Sequence, residues 1–99
     1  MLNIEKQKDG SSFTIALEGR LDTTTAPELE AVVKDELSGI NSLVVDMAKL
    51  EYISSAGLRV LLSAQKIMNA QGSMVIKNAS EDIMEIFDVT GFTDILNIE

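Results

Sequence analysis

The sequence predicts an α/β fold, with α-helices packed on a mixed, mainly parallel β-sheet that begins with an antiparallel hairpin. An Asp-Gly pair joins two strand-like segments at the N-terminus, and from residue 43 onward strand-like and helix-like segments alternate. Strands joined through helices pair in parallel by right-handed crossovers, whereas a tight hairpin is antiparallel. A length of 99 residues allows one core of modest size, so a single domain is expected over residues 1–99.

The N-terminal hairpin is predicted to consist of strands at residues 2–8 and 13–18, joined through residues 9–12. Apolar and polar residues alternate in the second strand, so one face is expected to pack and the other to meet solvent. Gly19 then permits a turn, after which Leu21 is expected to be buried.

The first helix is predicted to begin at Thr25 and to run to about Ser38. Thr25 has capping-box spacing to Glu28, and Pro27 falls in the first turn, where its missing N–H removes no intrahelical bond. Gly39 supplies the left-handed residue that ends the helix. The apolar stripe of this helix comprises Leu29, Val32, Val33 and Leu37.

The central part of the chain is predicted to be a buried strand at residues 42–47, a loop at residues 48–53 and a helix from residue 56 to about residue 70. Either Ser54 or Ser55 would be the N-cap of this helix, where a hydroxyl accepts a hydrogen bond from an unpaired backbone N–H. Because only one row of the helix is polar, we expect other elements to cover it on more than one side. That row comprises Arg59, Ser63, Lys66 and Ala70.

The C-terminal part is predicted to contain a short strand at residues 74–76 and an amphipathic helix that Ser80 caps. Glu81 and Asp82 would stabilise the positive end of that helix. Residues 95–98 fit either a terminal strand or a last helical turn. The packing face of the helix is expected to comprise Ile83, Ile86, Phe87 and Val89.

The composition excludes several classes of function. Sixteen acidic against eight basic residues give a net charge of −8, so neither nucleic acid nor a membrane surface is expected as a partner. With no His and no Cys, the chain cannot assemble a histidine-assisted nucleophile or a typical zinc site. It shows no signal-peptide core and no apolar run of membrane-spanning length. We therefore expect a cytoplasmic protein that is a monomer when free.

Neither enzymatic activity nor a cofactor or metal ion is expected. The chain contains no P-loop and no Gly-x-Gly-x-x-Gly segment that would hold a nucleotide. Asp22, Asp46 and Glu51 would lie near the ends of the sheet, where sites form in α/β folds. Because no second catalytic group accompanies them, we interpret all three as solvated loop acids.

Three short segments carry the most specific signal, and they span most of the chain. Tyr-Ile-Ser-Ser-Ala-Gly-Leu occupies residues 52–58, with Asp46 upstream. Gly-Arg-Leu-Asp lies before it at residues 19–22, and Ile-Phe-Asp-Val-Thr-Gly-Phe after it at residues 86–92. In this order they resemble the signature of the STAS domain family, the anti-sigma factor antagonists of bacteria.

The resemblance implies the same α/β architecture and a partner switch. Unmodified family members bind an anti-sigma factor, a serine-protein kinase of the histidine-kinase-like ATPase fold, and so free the sigma factor. The kinase phosphorylates the serine two residues before the motif glycine, and a phosphatase restores binding. Carried over through Gly57 and Leu58, the phosphorylated residue is Ser55. The expected partner-binding surface comprises Asp22, Thr23, Ser54, Ser55, Ala56, Gly57 and Arg59.

A phosphate on Ser55 would add roughly −1.5 to −2 charge and three acceptor oxygens. At a helix N-terminus these oxygens meet free N–H groups, so the fold should survive. Binding would then be lost through repulsion and desolvation at the surface. Arg59, one turn beyond Ser55, either pairs with the phosphate or stays solvated.

The sequence departs from the family pattern at Ser54, where Asp is common. One alternative is that Ser54 competes with Ser55 as the modified residue. Another is that the chain binds partners without being phosphorylated. It would then be a regulatory subunit of a membrane transporter or of a lipid-transport ATPase, as some STAS domains are.

Overall fold

A four-stranded sheet and three α-helices make up the computed structural model, which describes all 99 residues. In chain order the elements are β1 Leu2–Asp9, β2 Ser12–Leu21, α1 Ala26–Glu36, β3 Ser42–Ile53, α2 Ser55–Gln71, β4 Ser73–Lys77, α3 Glu81–Val89 and a 3₁₀ turn at Phe92–Asp94. The strand order is β1-β2-β3-β4, with β1 antiparallel to β2 and the other pairs parallel. The predicted α/β class is confirmed. None of the helices combines the length and the hydropathy that a membrane crossing requires.

The hydrophobic core lies on one face of the sheet. Along β2 the buried Phe13, Ile15 and Leu17 alternate with the half-buried Thr14 and Ala16, as the two-residue period of a strand requires. The 26 buried apolar residues form one cluster, so the helices share this face. Helix α2 contacts α1 as well as β3 and β4, which confirms the expected cover on more than one side.

Strand β3 continues through residues 48–53, where the sequence predicts a loop, and β2 continues through Gly19 to Leu21. Relative to β2, β3 has one extra residue after Asp46 and another after Leu50. Such β-bulges interrupt the alternation of buried and exposed side chains, so two exposed residues precede Leu50 and two precede Ile53. In residues 48–53 apolar and polar residues therefore do not alternate, and this alternation is the pattern by which a strand is recognised in a sequence.

The capping box predicted for α1 is wrong. Thr25 precedes the helix, but its hydroxyl donates to the carbonyl oxygen of Arg20 at 2.8 Å and accepts from the amide of Asp22 at 2.9 Å. The Thr25 side chain is therefore buried under the preceding turn and cannot reach the helix amides. The helix ends at Glu36, two residues earlier than predicted, and Gly39 has the left-handed φ of +80°.

Helix α3 begins as predicted, with the Ser80 hydroxyl accepting from the amide of Ile83 at 3.3 Å. Phe87 is fully buried, but Val89 is 77% exposed and does not belong to the packing face. Two residues correspond to about 200° around a helix, which turns Val89 away from Phe87. After the 3₁₀ turn, Ile98 forms one isolated parallel bridge with Ile76, so residues 95–98 form neither a full strand nor a helical turn.

Candidate functional site

Helix α2 begins directly where β3 ends, and Ser54 makes the connection. Its amide donates to the carbonyl oxygen of Leu21 at 2.9 Å, which fixes Ser54 against the end of β2. Its hydroxyl oxygen accepts from the amide of Gly57 at 3.4 Å, and its carbonyl oxygen accepts from the amide of Leu58 at 2.9 Å. Of the two candidate serines, Ser54 is therefore the N-cap.

Ser55 is the first residue of α2, and its side chain is exposed. The first amides of a helix have no intrahelical acceptor. Because Ser54 satisfies the amide of Gly57, the amides of Ser55 and Ala56 remain for solvent. The Ser55 hydroxyl thus lies at the surface and has no role in capping the helix.

Gly57 allows the start of α2 to pack tightly on the carboxyl ends of β2 and β3. A Cβ atom at Gly57 would lie 2.7 Å from Cγ of Leu21 and 2.9 Å from Cγ1 of Ile53. Both distances are shorter than carbon–carbon van der Waals contact. The glycine therefore fixes the height of the first helical turn, and with it the position of Ser55, above the sheet.

Asp22 organises the turn between β2 and α1. One of its carboxylate oxygens accepts from the Thr24 hydroxyl at 2.7 Å, from the Thr24 amide at 3.0 Å and from the Thr25 amide at 3.2 Å. These bonds, the Thr24 hydroxyl first among them, hold the pKa of Asp22 below its ordinary value, although partial burial acts in the opposite direction. The Asp22 side chain therefore orders the turn that precedes α1, whereas no side chain caps the amides of the helix itself.

A shallow groove between α1 and α2 opens next to the start of α2. It brings together Thr23, Ala56 and Arg59, three of the residues that the sequence assigns to the partner-binding surface. Arg59 is exposed and has no carboxylate within 4 Å. The groove is lined by Thr23, Ala26, Pro27, Glu30, Ala56, Arg59, Val60 and Ser63. The other four predicted residues do not line the groove: Ser55 is exposed beside it, Asp22 and Ser54 are half-buried, and Gly57 is buried.

Arg20 and Tyr52 form an exposed pair that the sequence pattern did not predict. The Arg20 guanidinium lies 4.4 Å from the centre of the Tyr52 ring, and its Nε is 3.8 Å from a carboxylate oxygen of Asp22. The two residues are register partners in the β2–β3 ladder. Only a strand that continues to Ile53 makes them neighbours, so the missed bulges also concealed this pair.

Two of the three acids interpreted as solvated loop acids, Asp46 and Glu51, lie within β3 and not in a loop. Asp46 lies within β3 opposite Ala16 and Lys77, and not at the end of the sheet as predicted, since β3 continues beyond it. Its carboxylate accepts from the amide of Ala48 at 2.9 Å and from the Asn78 side chain at 3.1 Å, which gives it a structural role. No group of three or more acidic, His or Cys side chains is arranged to hold a metal ion.

Replacement of Thr24 by Ala is expected to raise the pKa of Asp22, because the Thr24 hydroxyl is the main group that lowers it from the ordinary 3.8. The pKa of Asp22 is lower in the folded chain than in the unfolded chain. The carboxylate therefore stabilises the fold at any pH above its unfolded-state pKa, and this stabilisation is lost as the pH falls through its folded-state pKa. Carboxyl-carbon NMR titration measures the pKa directly. Thr23→Ala is the control, since the Thr23 hydroxyl makes no bond to Asp22; equal Asp22 pKa values in wild type and Thr24→Ala would contradict the assignment.

Comparison with known proteins gives a consistent result. The sequence model of the STAS domain matches residues 3–99. A Bordetella bronchiseptica protein provisionally named anti-sigma factor antagonist BtrV is 36% identical over 99 residues, which cover 98% of this chain and 85% of BtrV. The anti-sigma-B factor antagonist of Staphylococcus epidermidis is 32% identical, covering 98% of this chain and 92% of its own length. The crystal structure of an anti-sigma factor antagonist from Mycobacterium paratuberculosis has the same fold, with a TM-score of 0.89 at 17% identity over 99% of this chain and 85% of that one.

Proposed function

This chain belongs to the STAS domain family, and on that premise we propose that it is an anti-sigma factor antagonist switched by phosphorylation of Ser55. In this function the unmodified protein binds an anti-sigma factor that is also a serine-protein kinase, and so frees the sigma factor. The kinase transfers phosphate to Ser55 and ends the binding, and a phosphatase removes it. The protein regulates transcription indirectly, acts in the cytoplasm and needs no catalytic residue, cofactor or metal ion of its own.

The exposure of Ser55 is the observation that carries this proposal. A kinase must reach the acceptor hydroxyl with its own active site, and the Ser55 side chain projects from the first turn of α2 into solvent. Ser54 is a poorer substrate for a kinase, because it is half-buried and its hydroxyl oxygen already accepts a hydrogen bond from the amide of Gly57. The geometry thus favours Ser55 over Ser54, the two residues between which the sequence left a choice.

A phosphate at this position is compatible with the folded chain. It would be attached to the first residue of a 17-residue helix, where the dipole favours negative charge and free amides are available as donors. No buried side chain would have to move, because Ser55 belongs to the solvated surface. The effect of the phosphate would therefore fall on the partner, through charge repulsion and through the cost of desolvating a dianion in a close contact.

A kinase reaction tests the proposal directly. The purified chain is incubated with ATP and the serine-protein kinase of the same organism that acts as the anti-sigma factor, and intact mass spectrometry counts the phosphates. Wild type and Ser54→Ala are expected to gain one phosphate each, and Ser55→Ala none. The two variants are a matched pair, since each removes one hydroxyl of adjacent residues.

Two results would overturn the proposal. Phosphate on Ser55→Ala but not on Ser54→Ala would move the modification to the capping serine. No phosphate on wild type, together with recovery of a membrane transporter or a lipid-transport ATPase as the bound partner, would favour the non-phosphorylated STAS subunit instead.

A further inference from the structure

Arg59 is the only positively charged residue that lines the groove, and no carboxylate oxygen lies within 4 Å of its guanidinium. The chain has only two arginines, and the other, Arg20, is already held by Asp22 at 3.8 Å and by the Tyr52 ring. Glu30, on the α1 side of the groove, has Lys34 as its partner at 3.8 Å. In a chain with a net charge of −8, the groove therefore presents an unpaired guanidinium.

The same guanidinium is within reach of Ser55. Residues four apart in a helix share a face, and every helical side chain leans toward the N-terminus, so that Arg59 covers the turn that contains Ser55. Both residues are exposed at the surface. A guanidinium forms strong bidentate hydrogen bonds with carboxylates and phosphates alike.

From these observations we propose that Arg59 exchanges one anion for another. In the unmodified protein it binds an acidic side chain of the anti-sigma factor seated in the groove, and after phosphorylation it binds the phosphate on Ser55. This inference rests on the proposed function and extends it. Phosphorylation then does more than add a repulsive charge, because it also removes the cation that attracts the partner. Asp22 and Glu30 are the nearby acids, and both have partners of their own.

Arginine NMR tests the intramolecular half of this proposal without any partner. The Nε–Hε spectrum of this chain contains two signals, so Arg20 is an internal reference for Arg59. Phosphoserine is introduced at Ser55 by genetic encoding, which makes the kinase unnecessary. The Arg59 signal is expected to shift and to exchange more slowly with water, whereas the Arg20 signal stays in place. The second pKa of the phosphate is expected to be lower by about 0.4 unit in the otherwise wild-type chain than with Arg59→Ala.

Binding of the anti-sigma factor tests the other half. Arg59→Ala in the unmodified chain is expected to weaken binding about 10-fold, because one charged hydrogen-bonding partner is lost. Lys66→Ala is the matched control. It removes the same charge from the same exposed row, but at 11 residues from Ser55 it lies about 16 Å away along the helix, beyond the Debye length of about 8 Å.

The failures of the two proposals are distinguishable. If the Arg59 signal does not respond to the phosphate, or if Arg59→Ala binds the partner as tightly as wild type, the anion exchange is wrong although Ser55 can still be the switch. If the phosphorylated wild type binds the anti-sigma factor as tightly as the unmodified chain, the proposed function itself is wrong, whatever Arg59 contacts.

Discussion

Phosphoserine at position 55 is expected to weaken binding of the anti-sigma factor by at least about 30-fold and to leave the fold intact. An added dianion in a close contact costs about 2–5 kcal/mol through repulsion and desolvation, and each 1.4 kcal/mol is a factor of ten in affinity. The folded chain loses nothing comparable, because the phosphate is attached at the favourable end of α2. Titration calorimetry measures the affinity, and a thermal unfolding scan measures the stability of the same sample.

Phosphoserine at Ser11 provides the control for this experiment. Ser11 is exposed in the turn between β1 and β2, at the opposite end of β2 from Leu21 and Ser54. The added charge is the same, so a general effect of net charge would appear in both proteins. Equal affinities of the two phosphorylated forms, or a large loss of thermal stability with phosphate on Ser55, would contradict the assignment of Ser55 as a surface switch.

The sequence predicted the start of α2 well because its signal is local. The β-branched run, the two serines and the helical period that follows depend on neighbours within a few residues, and they located the start of α2 to within one residue. Which serine caps the helix was not decided by these patterns. That choice depends on Ser54 continuing the extended backbone of β3, with ψ of 175°, and on its amide bonding to Leu21 in another strand.

The failures of sequence prediction arise from contacts between distant segments. Thr25 and Glu28 fit a capping box, but the Thr25 hydroxyl instead accepts from the amide of Asp22 and donates to the carbonyl oxygen of Arg20, at the end of β2. The two bulges of β3 depend in the same way on its register against β2. A local pattern therefore predicts the type of an element, whereas its exact end depends on the segment against which it packs.

Gly72 illustrates such a contact, and Gly72→Ala is expected to be among the most destabilising single substitutions in the chain. In sequence it is simply the glycine that ends α2. In the structure a Cβ at this position would overlap the carbonyl oxygen of Asn41 and lie 2.7 Å from its carbonyl carbon. That oxygen also accepts from the amide of Ser73 at 3.0 Å, where β3 and β4 begin to pair. No side chain can rotate to relieve a clash with backbone, so the strand start or the helix end must shift.

We expect Gly72→Ala to lower the free energy of unfolding by about 3 kcal/mol and the melting temperature by about 15 °C. Urea unfolding and calorimetry measure the two quantities. Gly39→Ala is the control: no atom lies within 4 Å of its added Cβ, so only the strain of its φ of +80° remains, about 1 kcal/mol. If Gly72→Ala were no worse than Gly39→Ala, the backbone at Asn41 would be able to move at little cost. The packing of α2 against β3 and β4 would then not depend on this contact.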